Sequence, residues 1–492
     1  MPIQPLPDSP SFENLRKQAK SLLKAARAGD SDAVARVREF HPRPEGKSTR
    51  ISLSDAQLVI ARSYGFSSWI RLKQHLDFLD RHSLLPRAQT ITDDAESIGD
   101  RFIRLACLNY LDDHTRWRDQ ARELLASDPL LSRENIYTAA TVGDVTAVSW
   151  ILKANPGSAT MRGGPYNWEP LLYAAYSRVN SDATQHSTLE VARLFLAGGA
   201  DPNAGFLWDG RYVFTALTGA FGEGESGPVN QPEHQYCYQL ARLLLEAGAD
   251  ANDSQTLYNR MFTGGTRHLE LLFEFGLGKG GDGVWFKRLG GQLGTPSDML
   301  QLQMGWAAKY NHMERLVLLI EHGVDVNTPD TRLCRPPYEI ALLNDNTKIA
   351  EYLLAHGAIQ TSLGDLDAFA AACIAADSAR ARSLLSTDAT LVDRLGEQRA
   401  ELLNRAAEGD RRDAVRLMAE LHFNLNEVKR TAPLHLAAAG GHLDLVKLLI
   451  ELGADPLVRD AEYNATPMGW AQYNHQAAVA KFLEQFEPGG SG

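Results

Sequence analysis

Residues Arg430–Pro456 read RTAPLHLAAAGGHLDLVKLLIELGADP, and the spacing of their apolar side chains decides the fold. Leu434, Leu436 and Ala437 mark one short helix. Leu443, Leu445, Val446, Leu448 and Leu449 mark a second, each set recurring on one helical face. Gly440-Gly441 breaks the chain between them, and Gly453 stands where the second helix must end, as a left-handed C-terminal residue would. One such pair cannot bury its own apolar faces, so it predicts neighbours.

The neighbours are present. MGWAAKYNHMERLVLLIEHGVDVN starts at Met304 and is echoed by MGWAQYNHQAAVAKFLEQ from Met468. Between them lie RPPYEIALLNDNTKIAEYLLAHGA from Arg335, LDAFAAACIAADSARARSLL from Leu366 and ELLNRAAEGDRRDAVRLMAEL from Glu401. Degraded copies run from Arg101 onward, including IYTAATVGDVTAVSWIL from Ile136 and TLEVARLFLAGGADPN from Thr188. The opening stretch resembles an ankyrin repeat in its TPLH element, with Ala432 in place of the Thr, and in the GAD after its second helix. The resemblance implies an all-α, curved ankyrin-repeat solenoid over residues 98–486, of about eleven helix pairs. Residues 300–486 form its regular part and residues 163–294 an irregular, insertion-bearing part. Any strands are expected as short hairpin pieces between repeats.

Residues 1–85 form a separate module in this reading. Leu15, Ala19, Leu22, Leu23 and Ala26 make one helical stripe, Gly29-Asp30 the turn, and Ala33, Val34 and Val37 a second stripe. A further pair has Ser54 placed to cap its first helix, and Trp69, Leu72, Leu76 and Leu79 on the buried side of its second. The module resembles one found ahead of ankyrin repeats in bacterial proteins, which implies a bacterial source and a cap for the first apolar face of the array. The last residues, 487–492, read as a tail or expression scar ending Gly489-Gly490-Ser491-Gly492.

Composition excludes several classes. Hydrophobic residues make up 44% and charged residues 23% of the 492, and the longest periodic segments are broken by charges, so no membrane span is expected. The N-terminus lacks a basic start followed by an apolar core, and the four cysteines have no CxxC spacing; both fit a reducing cytoplasm. The net charge of −11 is uneven: residues 1–85 hold 14 Lys/Arg against 9 Asp/Glu, which leaves −16 for the remainder. So acidic an array argues against nucleic acid and favours a basic protein partner. Neither a cofactor motif nor recurring metal-ligand spacing occurs: His435, His442, His312 and His475 fall at repeat positions where histidine hydrogen-bonds loop backbone.

Residues 163–294 break the repeat rule three times, at 179–187, 222–236 and 279–297. The interruptions and their flanks gather aromatic, charged and glycine residues: Trp168, Tyr173, Trp208, Tyr236, Tyr258, Asn259, Arg260 and Trp285 as ligand-binding candidates, and Glu169, Glu223, Glu225 and His234 as catalytic ones. Aromatic platforms with paired carboxylates suit a sugar-like or cationic ligand, or general acid–base chemistry. Glu169 opposite Glu223 or Glu225 makes the better pair, since Glu223 and Glu225 stand only two residues apart. Against this, a Glu/Gly/Pro loop can be merely solvated, and Trp168 and Trp285 can fill core gaps. Two functional readings follow. The resemblance implies a scaffold that recognises a protein on its concave face; the insertions at 163–294 suggest a small-molecule binder or acid/base enzyme.

Overall fold

Eleven helix pairs follow the N-terminal module among the described residues of a computed structural model. The structure describes residues 4, 6–7, 10–45, 50–84, 96–179, 186–279, 284–289 and 295–487. Most of the linker after Leu84, most of the first and third insertions, the Arg288 side chain and the glycine-rich tail lie outside the described residues. The chain is all-α apart from one three-stranded sheet. It divides into two compact units, residues 1–263 with 267–296, and residues 264–266 with 297–492.

The second unit holds six pairs, and its architecture follows from one turn used repeatedly. In the pair Pro433–Ala439 and Leu443–Glu451, Gly441 takes φ +73° and the amide of His442 donates to Ala437 O at 3.0 Å. The same left-handed residue recurs at Asn311, Asp345, Ala376, Asp410 and His475, with φ from +49° to +59°. Each time the next amide reaches back five residues, as from Asn346 to Ala341 O and from Arg411 to Ala406 O. A left-handed residue reverses the chain just after each first helix, whatever that helix's length, so every first helix ends in register with its neighbours. Gly323, Gly357 and Gly453 close the second helices in the same way, with φ from +79° to +100°. Successive pairs are tied by an amide clasp: Asn426 gives Nδ2 to Gly453 O and accepts from the Asp455 amide, and Asn327 does the same with Gly357 O and the Ile359 amide. The core is built from Leu434, Ala437, Leu445, Val446 and Leu449 and their equivalents.

The first unit holds the other five pairs and the module. Ser52, not Ser54, caps helix Leu53–Ser63: it forms a capping box with Asp55, which sits at the third helical position where reciprocal bonding is possible. Leu15, Ala19, Val37, Ile60 and Leu72 fill the module's core. The module then joins the sheet. Strand β1, Ser83–Leu84, lies parallel to β2, Gly205–Trp208, which pairs antiparallel with β3, Tyr212–Thr215. Phe78 meets Trp285 edge-on at 5.7 Å, and Arg162 donates to Arg81 O at 3.0 Å. The β2–β3 hairpin is of the short kind expected between repeats; the module's strand beside it was not legible in the sequence.

Candidate functional site

The insertion at 222–236 is a built element, not a solvated loop. It opens on Gly222, whose φ of +62° and contact with Pro232 O exclude any side chain: a Cβ there would lie 2.4 Å from that oxygen. Glu223 follows, also left-handed at φ +59°, with its amide bonded to Gln231 O. Backbone of this kind persists only where the surroundings over-determine it, and here they do. Arg178, fully enclosed, gives Nε to Pro232 O at 2.7 Å and Nη2 to Gly219 O at 2.7 Å. Arg118 donates to Val229 O and Asn230 O at 2.7 and 2.8 Å. Gln231 Nε2 donates to Asp113, whose carboxyl burial pushes above its usual range against the pull of those hydrogen bonds.

The catalytic candidates divide among these contacts. Glu223 accepts an ion pair from Arg260 Nη1 at 2.6 Å and a hydrogen bond from Thr263 at 2.8 Å; both members of the pair are buried. Arg260 also pairs with Glu233 at 2.7 Å, and its guanidinium is held above its usual range by the two carboxylates despite burial. Glu225 accepts from Tyr258 at 2.5 Å. Glu169 begins helix Pro170–Tyr176 beside Arg162, so Glu169 and Glu223 answer to different arginines. His234 is enclosed: Nδ1 accepts from the Tyr236 amide, and Nε2 lies 3.0 Å from Thr188 Oγ1. Burial, helped by Arg178, drives its pKa well down, so the ring stays neutral.

Three of the aromatic candidates, Trp168, Tyr173 and Trp285, face inward, and Trp208, Tyr236 and Tyr258 are half-buried. Trp168 and Tyr173 are buried and pack with Tyr166, Tyr176 and Phe206, so neither presents a stacking platform. Trp285 donates to Asn203 O at 3.0 Å and packs on Leu207 and Val213. Trp208 lies beside Tyr212 in the hairpin, and Tyr236 precedes helix Cys237–Glu246. Tyr258, Asn259 and Arg260 stand at the end of helix Ser254–Arg260, whose N-terminus Asp253 caps. The structure thus brings together Glu223, Glu225, Tyr258, Arg260 and Glu233, and commits them to one another.

An open cleft lies in the regular part. A cleft of about 340 Å³ in the second unit is walled by Lys309, Ile340, Leu343, Arg405, Glu408 and Leu436, with Leu333 and Arg335 at one side. Its residues occupy equivalent positions of successive first helices. Aligned on the left-handed turn, Leu436 and Ala439 of the opening repeat correspond to Trp306 and Lys309, to Ile340 and Leu343, and to Arg405 and Glu408. The intervening helix Asp365–Ile374 places only Ala371 and Ile374 there. Arg405 extends to Asn344, where Nη1 meets Oδ1 at 2.6 Å. Lys309 lies 4.8 Å over the ring of Tyr310 and 5.5 Å over that of Trp306. Desolvation lowers the Lys309 ammonium and raises the Glu408 carboxyl. Sequence reasoning passed over these residues because each sits in an unbroken repeat; reading one helical position across repeats would have found them.

These are stacked helix-pair repeats, and comparison with known proteins agrees in kind. Family models described as ankyrin repeats match residues 306–354, 368–460 and 403–488. Rabankyrin-5 of Mus musculus is 26% identical over 161 residues, 31% of this chain and 14% of that protein; Rabankyrin-5 of Homo sapiens is 25% identical over the same length. Ankyrin repeat and SOCS box protein 6 of Homo sapiens is 36% identical over 80 residues, 16% of this chain and 19% of that protein. The chain therefore spans less than a fifth of the length of these relatives, and the likeness is one of repeats. Among the described residues no helix is long and apolar enough to cross a membrane, and no group of three or more His, Cys, Asp or Glu is placed to hold a metal.

Proposed function

We propose that the chain is a binding scaffold that recognises a protein partner on the face formed by the first helices of residues 297–487, the concave face of the expected solenoid. Ankyrin repeats mediate protein–protein contact, and the observation that carries the proposal to this face is the cleft between Lys309, Ile340, Arg405 and Leu436. A preformed, partly apolar recess with convergent charged groups is the form that binding sites take. A cytoplasmic, bacterial setting belongs to the same proposal. The residues of 163–294 serve the fold in this reading: Glu223, Arg260 and His234 hold the insertion closed.

The test is affinity capture from the source cell with the full chain and two variants. Leu436→Arg places a charge in the cleft and should abolish recovery of the partner. Glu351→Arg, on the exposed side of helix Thr347–Ala355, should leave it unchanged. Equal recovery by both variants would remove the cleft from the binding surface.

A further inference from the structure

The cleft carries two cations that have no carboxylate in contact among the described residues. Arg335 is matched by Asp367 at 2.9 Å, and Glu401 is matched by Lys429 at 2.9 Å. Lys309 and Arg405 have no such match: among the described residues no carboxylate lies within 4.0 Å of either. Arg405 spends Nη1 on Asn344 Oδ1 and on Leu343 O, both neutral. Lys309 spends its charge on the faces of two aromatic rings. Glu408 and Glu401 also line the cleft and act on both cations from beyond 4.0 Å, and Glu408 is hydrogen-bonded with Tyr310.

Half-buried cations with no carboxylate in direct contact keep part of their desolvation cost even with Glu401 and Glu408 acting on them from farther off, and an anion brought into contact by a ligand recovers it. The walls beside them are apolar: Leu333 is 43% exposed, and Leu343 and Leu436 are half-buried. We propose that the cleft takes an acidic side chain of a partner polypeptide, its carboxylate between Lys309 and Arg405 and a neighbouring aliphatic or aromatic side chain against Leu333, Leu343 and Leu436. This rests on the protein-binding reading above and names the partner's chemistry. The net charge of −11 does not oppose it. Net charge governs long-range approach and is screened beyond about 8 Å at physiological salt, whereas the groups at contact fix register and specificity.

The test pans a phage-displayed library of random dodecapeptides on the full chain. Recovered peptides are synthesised with Asp or Glu and again with Asn or Gln, then titrated calorimetrically against wild type, Lys309→Gln and Arg405→Gln. Peptides bearing Asp or Glu beside an apolar residue are expected. The amide versions should bind at least tenfold more weakly. Lys309→Gln should weaken the acidic version but not the amide version, which a merely structural effect would not do; it removes no hydrogen bond and so keeps the test valid if Arg405→Gln disturbs folding. Neutral or basic peptides, an absence of coupling, or no recovered peptide would each overturn the carboxylate assignment. Non-acidic peptides that still fail on Leu436→Arg would leave the protein-binding face standing; peptides indifferent to Leu436→Arg would remove that as well.

Discussion

Arg260 shows what a single residue does in the irregular part of the chain. Its side chain is 5% exposed and sits between Glu223 and Glu233, so its removal strands a buried carboxylate. Arg260→Met is expected to cost about 3–5 kcal/mol in chemical denaturation, whereas Arg260→Met with Glu223→Leu should recover most of the loss. An unchanged midpoint in the single variant would mean that Glu223 reaches solvent. The sequence brought this cluster into view as an exception to the repeat, and Glu223 does meet Arg260 as Glu225 meets Tyr258. What it could not show was that the cluster is closed. Arg118 and Arg178, which pin the insertion, stand some 50–110 positions away in the chain and carry no local signal.

At the scale of elements, the turn is the unit that repeats. Gly441, Asn311, Asp345 and Asp410 are residue types that favour a left-handed position. Ala376 holds the same conformation without announcing it. The connections between pairs also recur: Asp330 accepts from the Arg332 and Leu333 amides, and Asp460 accepts from the Glu462, Tyr463 and Ala465 amides and from Trp470 Nε1. Burial raises the Asp460 carboxyl, but those donors outweigh it and bring it down to about 2. A depressed folded-state value means stability that is present above the unfolded value near 4 and is lost as pH falls toward 2. Denaturation midpoints of wild type should therefore fall between about pH 4 and 2 more steeply than those of Asp460→Asn; parallel curves would show that the carboxylate gains nothing from folding.

At the scale of the molecule, regularity and function trade places. Each unbroken repeat alone is unremarkable in composition. Stacking changes this, since Lys309, Leu343, Glu408 and Leu436 share one or two helical positions and become neighbours only when four first helices align. A repeat array makes binding surfaces in this way, by writing different residues at one position of a constant frame. The most direct measurement is site-specific photo-cross-linking in the source cell, with p-benzoylphenylalanine placed at Leu333 beside the cleft in one variant and at Glu351 on a second helix in another. The account predicts a discrete adduct with one protein from position 333 and none from position 351. The same adduct from both positions, or an adduct from position 351 alone, would contradict it.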